Sequence, residues 1–201
     1  MPILKDRQYR ALAFATPTKE EKKNKFESDC YVEGYATTFE RYALFNDGEK
    51  PIYEQFSPEC FRDCDMSDII FQYDHSGKVF ARLSNNTLTV EVDEKGLFVC
   101  ADLSKTSAAR SMYEDIQSGN VNKMSWGFMP DYKTLQFDEK TNTIIHHRIL
   151  KIYDVSAVSI PANNGTDIQA RNFANGAIRE VMKEIQKRKN HIRKIKLLLE
   201  V

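Results

Sequence analysis

Three residues of the sequence, Ser125, His75 and Asp154, are of the types that together perform nucleophilic acyl transfer. This chemistry needs a hydroxyl nucleophile, a base that takes its proton and an acid that orients the base. The residues lie in the segments KMSWGFMP, FQYDHSGKVFARL and IYDVSAVSI, which have the composition of β-strands. Strands are rigid supports for reactive side chains. The residue types therefore permit a Ser-His-Asp site, although each residue also has a simpler interpretation.

Ser125 is followed two residues later by Gly127, and alternation along a strand places both on one face. The other face then carries the bulky side chains of Met124, Trp126 and Phe128, which would anchor the strand. A displayed hydroxyl beside a glycine leaves room for a substrate. The segment is not the G-x-S-x-G elbow of the α/β-hydrolases, and a serine without a catalytic task is the alternative interpretation.

His75 follows a β-rich run that begins at Ile69. If that strand continues, alternation gives His75 the same face as Tyr73 and sends Asp74 to the other face. We therefore expect that Asp74 does not orient the imidazole, although the two residues are adjacent. A histidine at the end of a strand, bonded to a backbone partner, is the alternative interpretation.

Asp154 lies in residues 152–160, which are apolar on both faces, as is typical of a covered strand. An unpaired charge is costly to bury, so the carboxylate must accept hydrogen bonds. Two arrangements satisfy this need. Asp154 is either the acid of a catalytic triad or one partner of a purely structural ion pair.

Two further histidines, His146 and His147, are adjacent in IIHHRIL, and alternation sends them to opposite faces. At most one of them can therefore reach a given site. Either could be the third catalytic member, and exposed strand positions are the alternative interpretation.

The four cysteines, Cys30, Cys60, Cys64 and Cys100, contain no C-x-x-C pair, and no nearby histidine completes a zinc ligand set. We expect reduced thiols, no metal and no cofactor. A Cys-His hydrolase that uses Cys100 or another cysteine is a further alternative, although no cysteine lies in a displayed motif.

Short β-rich runs between turn residues dominate the chain and predict an antiparallel set of strands. The predicted strands are 31–39, 69–73, 78–82, 87–92, 97–103, 121–129, 132–137, 143–150 and 152–160. A helix capped by Ser104 or Thr106 and ended by Gly119 interrupts them. The expected fold is α+β: a mostly antiparallel β-barrel, closed or nearly closed, with helices packed outside it.

The composition is that of an ordinary globular protein, with 41% hydrophobic and 29% charged residues among 201 and a formal charge of zero. No apolar run approaches the roughly 20 residues that span a bilayer, and the first ten residues lack a secretion signal, so we expect a cytoplasmic location. The charge is uneven. Nine basic and three acidic residues follow from Arg171 onward, a net +6 against −6 for the rest.

Residues from 174 onward have the composition of a helix, and apolar residues recur there every seven positions, at Ile178, Ile185, Ile192 and Leu199. Arg188 breaks one of the interleaved positions. The pattern predicts an amphipathic helix, with a short coiled coil as one possibility.

Across about residues 31–171, the order of five motifs resembles that of the phage prohead proteases. VEGYATTF is similar to the family's strand motif G-Y-A-x-x-F, QYDH to its histidine motif, and EVDEKGLFVCADL to a central hairpin that contains G-L. SAARSMYEDIQSGNVNKMSWGF resembles the helix that leads into the S-x-G-F serine motif. DVSAVSIPAN resembles the segment E-V-S-x-V-x-x-P-A. Each motif is short, but five in the correct order are hard to obtain by chance.

The resemblance implies that Ser125 is the nucleophile and His75 the general base, on a fold related to the herpesvirus assemblin protease. Asp154 stands where the family commonly has a glutamate, one methylene longer. Assemblins use a second histidine as third member, which keeps His146 and His147 as candidates. We rank Asp154 first, because it occupies the matching position and its burial demands a partner.

The resemblance also implies a serine endopeptidase that cleaves the major capsid protein or a scaffold segment inside the prohead, in the bacterial host, during capsid maturation. Its predicted parts are an N-terminal arm with a charged loop (1–30), a protease domain (31–171) and a basic C-terminal helix (172–201). That helix is a candidate for self-association, and neither nucleic acid nor a membrane is an expected partner. A catalytically idle capsid-assembly or scaffolding protein on the same fold is the alternative function.

Overall fold

The structure is a computed structural model that describes residues 8–13, 25–46 and 51–159, together with Lys183, Gln186, Lys187 and Asn190. The described residues up to 159 form twelve strands, one α-helix and two short 3-10 helices, at Pro58–Phe61 and Leu83–Asn85. The strands before the helix are β1 (Gln8–Ala13), β2 (Tyr31–Thr38), β3 (Tyr42–Asn46), β4 (Pro51–Phe56), β5 (Ile70–Tyr73), β6 (Ser76–Arg82), β7 (Leu88–Val92) and β8 (Gly96–Asp102). The helix α1 (Ser107–Gln117) is followed by β9 (Lys123–Pro130), β10 (Gln136–Asp138), β11 (Thr143–His146) and β12 (Ile149–Val158).

The strands form three sheets, of which the largest carries all three candidate site residues. This central sheet has the order β1-β9-β12-β5-β6. A second sheet has the order β10-β11-β4-β3 and a third the order β2-β8-β7. The pairs β12–β5 and β11–β4 are parallel and the other named pairs are antiparallel, so the sheets are mostly antiparallel.

The fold class is α+β, but the predicted barrel is not confirmed. Among the described residues the three sheets remain separate and do not close on one another, and one α-helix accompanies them. The relation to the herpesvirus protease fold is therefore not confirmed either. Alternating apolar residues determine which face of a strand is buried, but they do not determine whether the last strand pairs with the first.

The helix α1 follows the predicted pattern closely. The Thr106 side chain accepts a hydrogen bond from the Ala109 backbone N–H at 3.1 Å and so caps the N-terminus. Ala109, Met112 and Ile116 are buried along one face. Gly119, just beyond the C-terminus, has a φ of +81°, which glycine adopts without steric cost.

One large hydrophobic cluster joins α1 with residues of all three sheets, and Trp126 is its largest fully buried side chain. The Trp126 ring stacks on Phe128 at a centroid distance of 4.1 Å and meets Phe56 of the second sheet edge-on at 5.2 Å. Met124, Trp126 and Phe128 thus anchor one face of β9, as predicted, because their burial removes a large apolar area from water.

The predicted C-terminal helix at 172–201 lies outside the described residues, except for Lys183, Gln186, Lys187 and Asn190, each of which is helical. Gln186 donates a side-chain hydrogen bond to Asn190, one turn later, at 3.1 Å. None of the helices in the described part of the chain is long and apolar enough to cross a bilayer.

Candidate active site

Two neighbouring strands bring Ser125 and Asp154 to the same face of the central sheet. In the antiparallel pair β9–β12, Ser125 lies opposite Ser156 and Gly127 lies opposite Asp154. Directly opposed residues point to the same side of a sheet, and so do residues two apart on one strand. The site therefore lies on the face of β9 that is opposite to the buried Trp126 and Phe128.

His75 reaches this face from the turn between β5 and β6. Tyr73 pairs with Ser76, so Asp74 and His75 form a two-residue hairpin loop, with φ values of +44° and +56°. The strand therefore ends at Tyr73, as predicted, and does not continue through His75. Left-handed conformations are strained for residues other than glycine, and such strain persists where surrounding contacts compensate for it.

The three side chains form a continuous chain of hydrogen bonds. His75 Nδ1 lies 2.5 Å from Asp154 Oδ1, and His75 Nε2 lies 2.5 Å from Ser125 Oγ. A carboxylate only accepts hydrogen bonds, so Nδ1 carries the proton and Nε2 is left to accept the serine hydroxyl proton. This is the geometry that a serine nucleophile, a base and an orienting acid require.

Asp154 is fully buried, as its apolar surroundings predicted, and its Oδ1 atom also accepts a hydrogen bond from the Ser156 hydroxyl at 2.8 Å. Two donors on one oxygen hold the carboxylate in a single orientation.

The space beside Gly127 is filled, and the expectation that it receives substrate is wrong. A Cβ atom at this position would lie 2.5 Å from Asp154 Oδ2 and 2.9 Å from Tyr9 Cε1. Because Gly127 has no side chain, the Asp154 carboxylate can lie close against the β9 backbone. Ser125 itself is only 2% exposed, whereas the pattern predicted a displayed hydroxyl.

Asp74 does not orient His75, as expected, but it holds the turn that carries His75. Its Oδ1 atom accepts a hydrogen bond from the Ser159 backbone N–H at 3.1 Å, and its Oδ2 atom accepts one from the Ser159 hydroxyl, also at 3.1 Å. The Asp74 backbone N–H donates to the carbonyl of Ala157 at 3.0 Å. The turn is thereby fastened to the end of β12.

The structure places His146 and His147 in other environments. His146 is 2% exposed, which contradicts the exposed strand position offered as its alternative, and its Nε2–H donates to Glu54 Oε1 at 2.8 Å. His147 is exposed, and its Nε2 atom lies 3.0 Å from Gln136 Oε1. In the described structure the hydrogen-bond partner of His75 Nδ1 is Asp154, not either histidine.

A buried ion pair that the sequence analysis missed lies behind the site. Glu54 is fully buried and accepts hydrogen bonds from Arg10 Nε at 2.5 Å, from Arg10 Nη2 at 2.8 Å and from the Tyr42 hydroxyl. Burial alone would raise the pKa of the Glu54 carboxyl, but the charge of Arg10 and the hydrogen bonds from His146 and Arg10 outweigh it and hold the pKa well below its usual range.

Tyr9 is a second residue that the sequence analysis missed. Its ring lies against the imidazole of His75, with centroids 4.1 Å apart and planes tilted by 50°. The signal available in the sequence is the short run QYRALA, whose alternation is weakened by the charged Arg10.

The cysteines are free thiols that lie apart from the hydrogen-bonded chain of the site. Burial raises the pKa of the Cys60 and Cys64 thiols to about 12 and also raises that of Cys100, which disfavours the reactive thiolate. Within the described residues, no group of three or more His, Cys, Asp or Glu side chains is arranged to hold a metal ion.

One of three comparisons with known proteins found a match. Neither the curated proteins nor the solved structures contain a match to the chain. The model of one protein family, described as caudovirus prohead serine protease, matches residues 16–195. Because this match covers most of the chain, the protein belongs to the caudovirus prohead serine protease family.

Proposed function

We propose that the protein is a serine endopeptidase that cleaves capsid or scaffold proteins inside the phage prohead during capsid maturation. The observation that carries the proposal is the unbroken hydrogen-bond chain from Asp154 through His75 to Ser125, with 2.5 Å at each step. Family membership supplies the class of reaction and of substrate. The prohead within the bacterial host is then the place of action, and the major capsid protein and the scaffold segment are the expected substrates.

In the proposed mechanism, His75 Nε2 takes the proton from Ser125 Oγ as that oxygen attacks the carbonyl carbon of the scissile peptide. His75 then gives the proton to the departing amine, and the C–N bond breaks to leave an acyl group on Ser125. A water molecule repeats the sequence and releases the acid. Asp154 accepts the Nδ1–H hydrogen bond throughout and stabilises the imidazolium as it forms.

Asp154 is the preferred third member because its Oδ1 atom contacts His75 Nδ1, while His146 is engaged with Glu54. The shorter side chain, compared with the glutamate common at this position, is accommodated because Gly127 lets the carboxylate lie directly on β9. The proposed role of the basic segment 172–201 in self-association remains a prediction.

The test is co-expression with the major capsid protein of the same phage, followed by gel mobility and intact mass of that protein. We expect wild-type protein to remove a segment of the capsid protein, and Ser125→Ala to remain folded without cleaving it. Ser118→Ala is the matched control, since it makes the same chemical change at the exposed C-terminal end of α1. Undiminished cleavage by Ser125→Ala would refute the assignment of the nucleophile.

A second experiment distinguishes the enzyme from a catalytically idle assembly protein. Purified wild-type protein is treated with a fluorophosphonate probe, whose phosphorus is attacked by the active serine of serine hydrolases, so that an O–P bond forms and fluoride leaves. We expect labelling of Ser125 in wild type, and slower labelling by orders of magnitude in Asp154→Asn. A wild-type protein that neither cleaves capsid protein nor reacts with the probe would indicate the assembly function.

A further inference from the structure

Strand β1 lies ahead of the family match at residues 16–195, yet it contacts the candidate site directly. We propose that Tyr9 on this strand is a positioning residue, which holds the His75 imidazole in line between Asp154 and Ser125, and that Arg10 anchors it there. This inference rests on the proposed function, because it assigns a role within the same site.

The register of β1 places Tyr9 over the site. In the antiparallel pair β1–β9, Tyr9 lies opposite Gly127 and Ala11 lies opposite Ser125. The Tyr9 side chain therefore shares the face that carries the nucleophile. Its ring fills the space over Gly127, with Cε1 2.9 Å from the position that a Cβ atom would take, and its centroid lies 4.1 Å from that of His75.

The hydrogen bonds of His75 hold the edge of its ring but not its faces. Both bonds are made by the ring nitrogens, Nδ1 to Asp154 and Nε2 to Ser125. Rotation of the imidazole about the Cβ–Cγ bond would swing both nitrogens out of line with these partners. A side chain packed on the face of the ring blocks this rotation.

The residue that carries this ring needs such a restraint, because its backbone is in the left-handed region with a φ of +56°. The aromatic face has a second effect. When His75 takes the proton, the centroid of the imidazolium lies 4.1 Å from that of the Tyr9 ring, within the distance at which an aromatic ring attracts a cation. Both effects act on the step in which Ser125 attacks, and neither requires the Tyr9 hydroxyl.

Arg10 explains why Tyr9 stays in place. Because side chains alternate along a strand, Arg10 enters the opposite face of the central sheet, where it is 6% exposed. There it pairs with Glu54 and donates to Gln8 Oε1 at 2.9 Å and to the Tyr9 backbone carbonyl at 2.8 Å. A strand at the edge of a sheet is thereby fixed to the second sheet through a buried charge.

The experiment compares the rate at which a fluorophosphonate probe labels Ser125 in full-length variants, since this rate reports nucleophilic attack without peptide recognition. We expect Tyr9→Ala to slow labelling about tenfold and to lower kcat for a peptide substrate similarly, with little change in KM. Tyr9→Phe keeps the ring, so its rate of Ser125 labelling should lie within about twofold of the wild-type rate.

Two further variants separate positioning from general loss of packing. Tyr35→Ala removes a comparable ring that packs edge-on against Phe98 in the third sheet, and should leave the labelling rate unchanged. Tyr9→Leu fills the space beside Gly127 without an aromatic ring. Its thermal unfolding should therefore show a folded protein, yet its Ser125 should be labelled at least about threefold more slowly than that of wild type.

The outcomes distinguish this inference from the proposed function. Wild-type labelling of Ser125 with an unchanged rate in Tyr9→Ala would overturn the role of Tyr9 and leave the serine protease intact. Equal slowing in Tyr9→Phe and Tyr9→Ala would also overturn it, since the ring would then not be the group that acts. A wild-type Ser125 that does not react would overturn both.

Discussion

Gly127→Ala should damage the site through a single added methyl group. The new Cβ atom would lie 2.5 Å from Asp154 Oδ2, while ordinary contacts begin at 3.4 Å, so the two atoms must separate by about 0.9 Å. Moved by that amount, the carboxylate loses its 2.5 Å contact with His75 Nδ1 as a well-formed hydrogen bond. A misplacement of about 1 Å costs on the order of 100-fold in rate, and overpacking costs about 1–3 kcal/mol of stability.

The assay is the rate of Ser125 labelling by a fluorophosphonate, measured beside thermal unfolding. Gly119→Ala is the matched control, because its φ of +81° makes alanine strained by about 1–2 kcal/mol with no atom within 4 Å of the new Cβ. The two variants should lose similar stability, but only Gly127→Ala should lose activity. A wild-type rate in Gly127→Ala would refute the reasoning, and a parallel loss in Gly119→Ala would attribute the effect to stability.

Two other groups of contacts give predictions. Asp74→Ala removes the carboxylate that holds the His75 turn to Ser159, so it should lower the free energy of unfolding by about 1 kcal/mol and the rate of Ser125 labelling several-fold. Asp74→Asn tolerates positive φ and keeps one acceptor oxygen, so it should restore most of the stability and most of the rate. Full activity in Asp74→Ala would contradict this. Arg10→Met leaves the Glu54 charge buried without its main partner and should cost about 3–5 kcal/mol in chemical denaturation, and Arg10→Met combined with Glu54→Gln should recover part of the loss. The folded-state pKa of Glu54 lies below the ordinary value of about 4.3, so its contribution to stability is complete above that pH and declines as the pH falls below it. Wild type should therefore lose more stability than Glu54→Gln between neutral pH and about pH 3, and equal slopes would contradict the ion pair.

The elements that follow simple patterns were predictable from local sequence. The helix α1 has a capping threonine, an apolar face and a terminal glycine, and all three have the expected roles. The strands β2 and β5 to β9 also lie close to their predicted positions, because alternating or continuous apolar residues indicate which side of a strand is buried. Predictions of this kind depend only on residues that are close to one another in the sequence.

Of the three strands that were missed, β1, β3 and β4, two carry a charged residue on the buried face. In β4, the inward positions are Ile52, Glu54 and Phe56, so a carboxylate interrupts the apolar pattern. In β1, the inward positions Gln8 and Arg10 are both polar. From its own sequence, each strand would be predicted to lie at the surface. These charged side chains can be buried only because Arg10 of the central sheet pairs with Glu54 of the second sheet. The sequence of either strand alone does not indicate this pairing.

Residue types and motif order were therefore sufficient to indicate a serine, a histidine and an acid, and the family to which the chain belongs. Only the tertiary structure decided which acid contacts His75, which ring covers it and what occupies the space over Gly127. The physical reason is distance along the chain. His75 lies 79 positions from Asp154 and 50 from Ser125, so their contacts depend on strand order, register and a two-residue turn, none of which the individual segments specify.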